Sequence, residues 1–195
     1  MRKMYKMCKT EQSAQRQRAL EEGLLRAMSN CHYEQISVSD LCDRCAIPRK
    51  AFYRYFTGKD GALYALIDHT LLQYEGFQMA EFGMEARSYQ SDLEQFFRFW
   101  LRQKPLLDAL KRSNISGVLV TRAIEHALSD VGMPIRFLPQ QDRAARRHAI
   151  MFGVCGLMSM VLDWHDSGYD LSPREMSVIA AKLLTEPLFT RVDIR

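Results

Sequence analysis

The chain has 195 residues, 47% of them hydrophobic and 26% charged, a composition that excludes a disordered or fibrous chain and allows one full domain or a small one joined to a larger one. Its 27 basic residues against 23 acidic ones divide unevenly: residues 1–60 hold 12 basic and 7 acidic side chains and the rest is nearly balanced, so the N-terminal part is the one suited to meet a polyanion. The first twenty residues lack the apolar core of a secretory signal, no apolar run reaches the roughly 20 residues a bilayer requires, and five cysteines make an odd, sparse set, so a cytoplasmic protein without membrane association is expected.

Only 10 Gly and 6 Pro punctuate long stretches without either, which predicts helices rather than the frequent turns of an all-β chain. Ala19, Leu24, Ala27 and Met28 recur at helical spacing and place a first helix over Gln12 to Met28. Ser37-Val38-Ser39-Asp40 has the capping form that opens a short helix running to about Cys45. Pro48 stops helical geometry at Ile47 and suits the first turn of a third helix, about Arg49 to Phe56. Thr57 to Asp60 breaks the chain and caps a long fourth helix extending to about Met79. Further helices are expected over Asp92 to Gln103, Leu106 to Arg112 and Ile115 to Leu128. Ser129 to Pro139 forms the clearest long loop. A long helix follows from Asp142 to about His165, and Ser172-Pro173-Arg174-Glu175 opens a last one to about Leu188.

Between Ser37 and Thr57 two short helices flank a three-residue turn, the arrangement that sets a second helix into a DNA major groove. Val38, Leu41, Cys42, Ile47 and Phe52 have the spacing of its internal core. Arg49, Lys50, Tyr53 and Arg54, with Tyr55 nearby, form an outer basic and aromatic set able to contact phosphates and base edges.

Helix 1, then Ile36 to Arg44, then Ala51-Phe52-Tyr53-Arg54-Tyr55-Phe56 and Gly58-Lys59-Asp60 together resemble the N-terminal DNA-binding domain of TetR-type transcriptional regulators over about Gln12 to Leu72. The resemblance implies an all-α fold: a three-helix head over residues 1–57, and over residues 58–195 a helical body that binds a small-molecule effector and dimerises through its last two helices. It implies that Tyr53 and Lys59 touch backbone phosphate, and leaves Arg49, Lys50 and Arg54 as candidates for base reading, with Ser37 and Ser39 adding phosphate contacts. Two departures stand out. Ala46 occupies the turn position where the family usually has Gly, and Pro48 stands where a Ser or Thr cap is common. The tail residues Arg2, Lys3, Lys6 and Lys9 are expected to be solvated.

The function expected is a sequence-specific DNA-binding regulator, a repressor released by its effector, acting as a homodimer on a palindromic operator. An activator of the same family, and a helical protein-interaction module without DNA binding, remain as alternatives. Cys42-x-x-Cys45 reads as core packing rather than a metal site, no cofactor is implied, and no nucleophile motif or phosphate loop accompanies His148, Asp163 and His165, so no catalytic residue is assigned. Phe82, Phe96, Trp100 and Phe137 are the candidate effector contacts. The helix from Asp142 to His165 is apolar on nearly all sides, and with the last helix it supplies a candidate dimer interface of Phe152, Cys155, Gly156, Met160, Ile179 and Leu183.

Overall fold

Thr10 opens the first helix by accepting a hydrogen bond from the Ser13 amide, and α1 (Glu11–Met28) then buries Leu20, Leu24, Ala27 and Met28 along one face. The computed structural model describes residues 4–6, 8, 10–82, 88–129 and 143–186. After a 3-10 turn at Tyr33–Gln35 come α2 (Val38–Arg44), α3 (Arg49–Tyr55) and α4 (Lys59–Phe82), then α5 (Tyr89–Arg102), α6 (Lys104–Arg112), α7 (Ser116–Ala127), α8 (Arg143–Asp166) and α9 (Pro173–Thr185). The described residues are all-α, apart from one isolated β-bridge between Tyr5 and Phe56. None of their helices is long and apolar enough to cross a membrane.

Local signals account for the boundaries. Ser37 and Asp40 close a reciprocal capping box on α2, and Ser172 and Glu175 do the same on α9, with Pro173 in its first turn. The α5 helix starts at Tyr89 because Ser88 caps the Ser91 amide, three residues ahead of the expected Asp92. Pro48 acts as the residue before α3 rather than inside its first turn, and no side chain caps that helix. The expected loop from Ser129 to Pro139 lies outside the described residues from residue 130 onward.

Packing follows from which faces are apolar. The fourth helix is the hub: Ala62, Leu63, Ala65, Leu66, Ile67, Leu71 and Tyr74 are buried, and α4 touches α1, α5 and α7. Where α1 crosses α2 the approach is closest at Gly23, whose added Cβ would lie 2.3 Å from the Cys45 sulfur. Thus both Cys42, 2% exposed, and Cys45 are packing residues, and no group of three or more metal-ligating side chains occurs among the described residues. In the body, α5 lies along α9 and α7 along α8. Phe97 meets Trp164 edge-on at 5.7 Å, and the Trp164 indole N–H donates to the Leu171 carbonyl at 2.9 Å, tying α5, α8 and the turn into α9.

One expectation is corrected here. The backbone of the described part of the N-terminal tail is docked rather than free: Tyr5 bridges to Phe56, and the Lys6 amide donates to the Tyr55 carbonyl at 2.9 Å, while the Lys6 side chain is exposed and Arg2, Lys3 and Lys9 lie outside the described residues. Its partners lie about fifty residues on, beyond the reach of local pattern. Within one protomer the α8 helix is covered on one side only. Met158, Val161 and Trp164 face the core, whereas Phe152, Gly156, Ser159 and Asp163 follow one outward stripe.

The turn between α2 and α3 carries a backbone constraint. Ala46 has φ of 51°, left-handed geometry that costs a non-glycine residue about 1–2 kcal/mol. Ala46→Gly is expected to stabilise the chain by about 1 kcal/mol, raising the melting temperature by roughly 2–4 °C. A melting temperature that falls would show that the alanine is accommodated without strain.

Candidate nucleic-acid interface

The α3 helix is two turns long, and its inner side is fixed by Phe52, fully buried, which packs on Phe56 at 5.1 Å. Residues at i, i+1, i+4 and i+5 then point the other way. Arg49, Lys50, Tyr53 and Arg54 are all exposed, and Tyr53, at 51%, stands edge-on to Phe52 with ring centres 5.3 Å apart. Between Ala46 and Lys59 the sequence contains no acidic residue. A helix of seven residues is about 10 Å long, and with its side chains it matches a B-DNA major groove about 12 Å wide.

Tyr55 does not belong to this face. It is 7% exposed and its ring packs on Phe56, because positions 52, 55 and 56 share the inner side of the helix. Tyr55 is therefore a core residue, and its place among the DNA contacts is corrected.

At the start of α2 the Ser37 hydroxyl accepts the Asp40 amide and donates to the Asp40 carboxylate at 2.6 Å, the Ser37 amide donates to that carboxylate at 3.3 Å, and the two bonds to the carboxylate hold it below its usual pKa. Ser37 is exposed and Ser39 half-buried beside it. Ser37 thus fixes the helix end first, and what it offers an anion is the free N–H groups it leaves in the first turn.

Lys59 occupies an unexpected place. Its ammonium donates to the Tyr33 carbonyl at 2.6 Å and the Glu34 carbonyl at 3.3 Å, and sits 4.2 Å from the centre of the Tyr33 ring. The Tyr33 hydroxyl donates in turn to Asp60 at 2.5 Å, and burial followed by that bond pushes the phenol far above its ordinary pKa. The Tyr33 amide donates to Ser113 at the end of α6, 2.9 Å away. Lys59, Tyr33 and Asp60 thus clamp the 3-10 turn to the start of α4, and the link to Ser113 reaches the body. Sequence spacing had no means of finding this clamp, since its members lie some 26 to 80 residues apart.

In the body, Phe96 and Trp100 are 8% and 1% exposed and pack within an aromatic cluster that includes Tyr74 and Phe99. The Trp100 indole N–H and the Gln95 side-chain oxygen are buried without a hydrogen-bond partner among the described residues. The side chain of Phe82, and Phe137 altogether, lie outside the described residues. A separate groove of about 480 Å³ runs between α5 and the start of α9, lined by Glu94, Arg98, Leu101, Arg102 and Ser172 to Arg174, none of which the sequence had marked as a site. At the surface of α8 and α9, Phe152, Ile179 and Leu183 are exposed by 63%, 40% and 42%, Gly156 is exposed, and Cys155 and Met160 are half-buried.

Sequence comparison finds no matching family model and no curated protein with significant similarity. Solved structures with the same architecture do exist. The TetR transcriptional regulator from Streptococcus agalactiae 2603V is 13% identical, over 90% of this chain and 96% of that one, with a TM-score of 0.63. The fatty acid degradation regulator FadR from Bacillus halodurans is 16% identical, over 95% and 100%, with a TM-score of 0.53. The dihydroxyacetone kinase operon activator DhaS is 15% identical, over 87% and 93%, with a TM-score of 0.54. At these identities the likeness is one of fold: the chain is all-α and TetR-like.

The clamp and the outer face respond differently to substitution. Lys59→Ala removes a cation bonded to two carbonyls and is expected to lower stability by about 1–2 kcal/mol, whereas Arg54→Ala, on the exposed face, should stay within about 0.5 kcal/mol of the parent. Thermal melts of the two variants check this, and equal effects would refute the clamp.

Proposed function

We propose that the chain is a DNA-binding transcriptional regulator that works as a homodimer. The observation that carries this reading is the outer face of α3: three cations and a tyrosine, exposed together on a helix whose inner side is immobilised, with no acid in the flanking segment. No catalytic role is proposed for any residue. Within that reading, Arg49, Lys50 and Arg54 read base edges, Tyr53 contacts backbone phosphate, and Ser37, Ser39 and Lys59 lie around the helix ends that approach the phosphates. The head is assigned to residues 1–57 and the body to residues 58–195. A cytoplasmic location is part of the same reading, because that is where such a protein meets DNA.

The dimer rests on exposed apolar surface. Phe152 on α8 and Val178, Ile179 and Leu183 on α9 are large side chains left in water by a single protomer, and a two-fold mate would cover them. Two copies of α3 would then lie about one DNA turn apart, or a multiple of it, and select a palindromic operator. An effector entering the aromatic body near Phe96 and Trp100 would find the unpaired Trp100 N–H as a donor. In this reading the effector displaces the head from DNA and the protein acts as a repressor. One of its fold neighbours bears the name of an activator, and a promoter fusion in the presence and absence of the protein decides the sign.

Duplexes selected from a randomised pool by the parent protein test the DNA reading. Arg49→Ala or Arg54→Ala should relax preference at particular base pairs, each worth roughly 1–3 kcal/mol, while Tyr53→Phe should weaken binding to all duplexes alike. A parent protein that enriches no sequence would sink the proposal.

Sedimentation tests the dimer. An added Cβ at Gly156 meets nothing within 4 Å, so Gly156→Arg leaves the protomer intact and places an unpaired charge in the interface. The parent should sediment at twice 22.6 kDa and the variant as a monomer. A monomeric parent at about micromolar concentration refutes the assembly.

A further inference from the structure

The described residues before Thr10 form a strap across the corner between α3 and α4. The Thr57 amide and hydroxyl both donate to the Met4 carbonyl, at 3.0 and 3.1 Å, and the Lys6 amide donates to the Tyr55 carbonyl at 2.9 Å. Extended backbone alternates its side chains, so Tyr5 points inward and Lys6 outward. The Tyr5 ring lies edge-on to His69 at 6.2 Å, and its hydroxyl donates to the Asp68 carboxylate at 2.6 Å. Cys8 donates to Gln17 of α1 at 2.7 Å. Beneath the strap, Gly61 is indispensable for close approach, since a Cβ there would lie 2.3 Å from the Met4 carbonyl oxygen.

Asp68 is 6% exposed and does not serve Tyr5 alone. Arg122 of α7 donates to it from two nitrogens, with Nε at 2.8 Å, and also bonds Glu125 while lying over the Tyr64 ring at 5.2 Å. Tyr5 and Arg122 share one carboxylate oxygen. Because α7 packs both on α4 and on α8, this carboxylate joins the body to the backbone at the end of α3.

We propose that the strap is part of the DNA-reading head and that Tyr5 is a positioning residue: through Asp68 it ties the C-terminal end of α3 to Arg122, so that displacement of α7 is felt at the reading helix. The inference rests on α3 being the helix that meets DNA. It assigns the route to the segment of chain that precedes the three helices of the head, and it makes the placement of α3 depend on a hydroxyl more than sixty residues from its acceptor.

Two variants test it without altering the reading face. Tyr5→Phe deletes the hydroxyl alone, and Gly61→Ala unseats Met4 while favouring helix at its own position. Both should speed hydrogen exchange at the Lys6 and Thr57 amides, leave helical content unchanged, and weaken affinity for duplexes selected by the parent about tenfold, the factor expected for one lost charge-assisted hydrogen bond. Arg122→Gln should speed exchange at Thr57 in the parent and add nothing in the Tyr5→Phe background, a non-additivity that a general loss of packing does not produce. Unchanged exchange at Thr57 in Tyr5→Phe and Gly61→Ala overturns the strap. Faster exchange with undiminished DNA affinity overturns its positioning role. Additive effects of Tyr5→Phe and Arg122→Gln overturn the route through Asp68. If the parent selects no duplex, the DNA reading of α3 and the role in DNA binding fall together, while exchange still decides the strap and its link to α7.

Discussion

Two turns of helix do not hold themselves together in water. Forming the first turn fixes several dihedral angles for a single hydrogen bond, and helices shorter than about 12 residues rely on packing for their existence. Both α2 and α3 have only seven residues. Their geometry is therefore borrowed: from α1 through the contact of Gly23 with Cys45, from the core through Phe52, Tyr55 and Phe56, and from α4 through the corner at Thr57. Much else in the head serves this need, including the clamp of Lys59 on the 3-10 turn and the arm laid along Tyr55 to Thr57.

The same dependence explains why the head is not separable from the body in mechanical terms. Tyr33 bonds Ser113 at the end of α6, and Tyr5 bonds Asp68 on α4, which Arg122 on α7 also holds, so two polar links leave the head at different places. Both involve groups whose burial would be costly if left alone, and each link restores a partner. Loosening the body at α6 or α7 therefore strands a polar group at the junction, and head and body resist moving independently.

Local signals in the sequence carried much of this. The capping boxes at Ser37 and Ser172, Pro173 in a first turn, the interruption at Ala46 to Pro48 and the periodicity of Leu20, Leu24 and Met28 all act within four residues of one another, which is the range over which sequence pattern has physical meaning. The outer face of α3 was readable for the same reason. Tyr55 was misplaced although Phe52, Tyr55 and Phe56 share a helical period, because its chemistry as a tyrosine next to arginine was weighed above its position. Tyr5 with Asp68, Lys59 with Tyr33, and Asp68 with Arg122 stayed hidden, being pairs that only the folded chain brings together. For α8, the first half of the outward stripe, Phe152 and Gly156, could not be separated from the buried one by composition, since only Ser159 and Asp163 further along are polar.

The placement of the two tryptophans has an optical consequence. The chain contains only Trp100 and Trp164, they are 1% and 2% exposed, and both belong to helices of the body, α5 and α8. The three helices of the head carry no indole, so the tryptophan emission of the protein, as distinct from that of its tyrosines, comes from the body alone. Trp164 lies edge-on to Phe97 and Tyr169, while the Trp100 N–H has no partner, which gives the two fluorophores different surroundings. Any spectral change on adding a ligand to the head would therefore be a direct record of strain transmitted across the junction, with no label introduced.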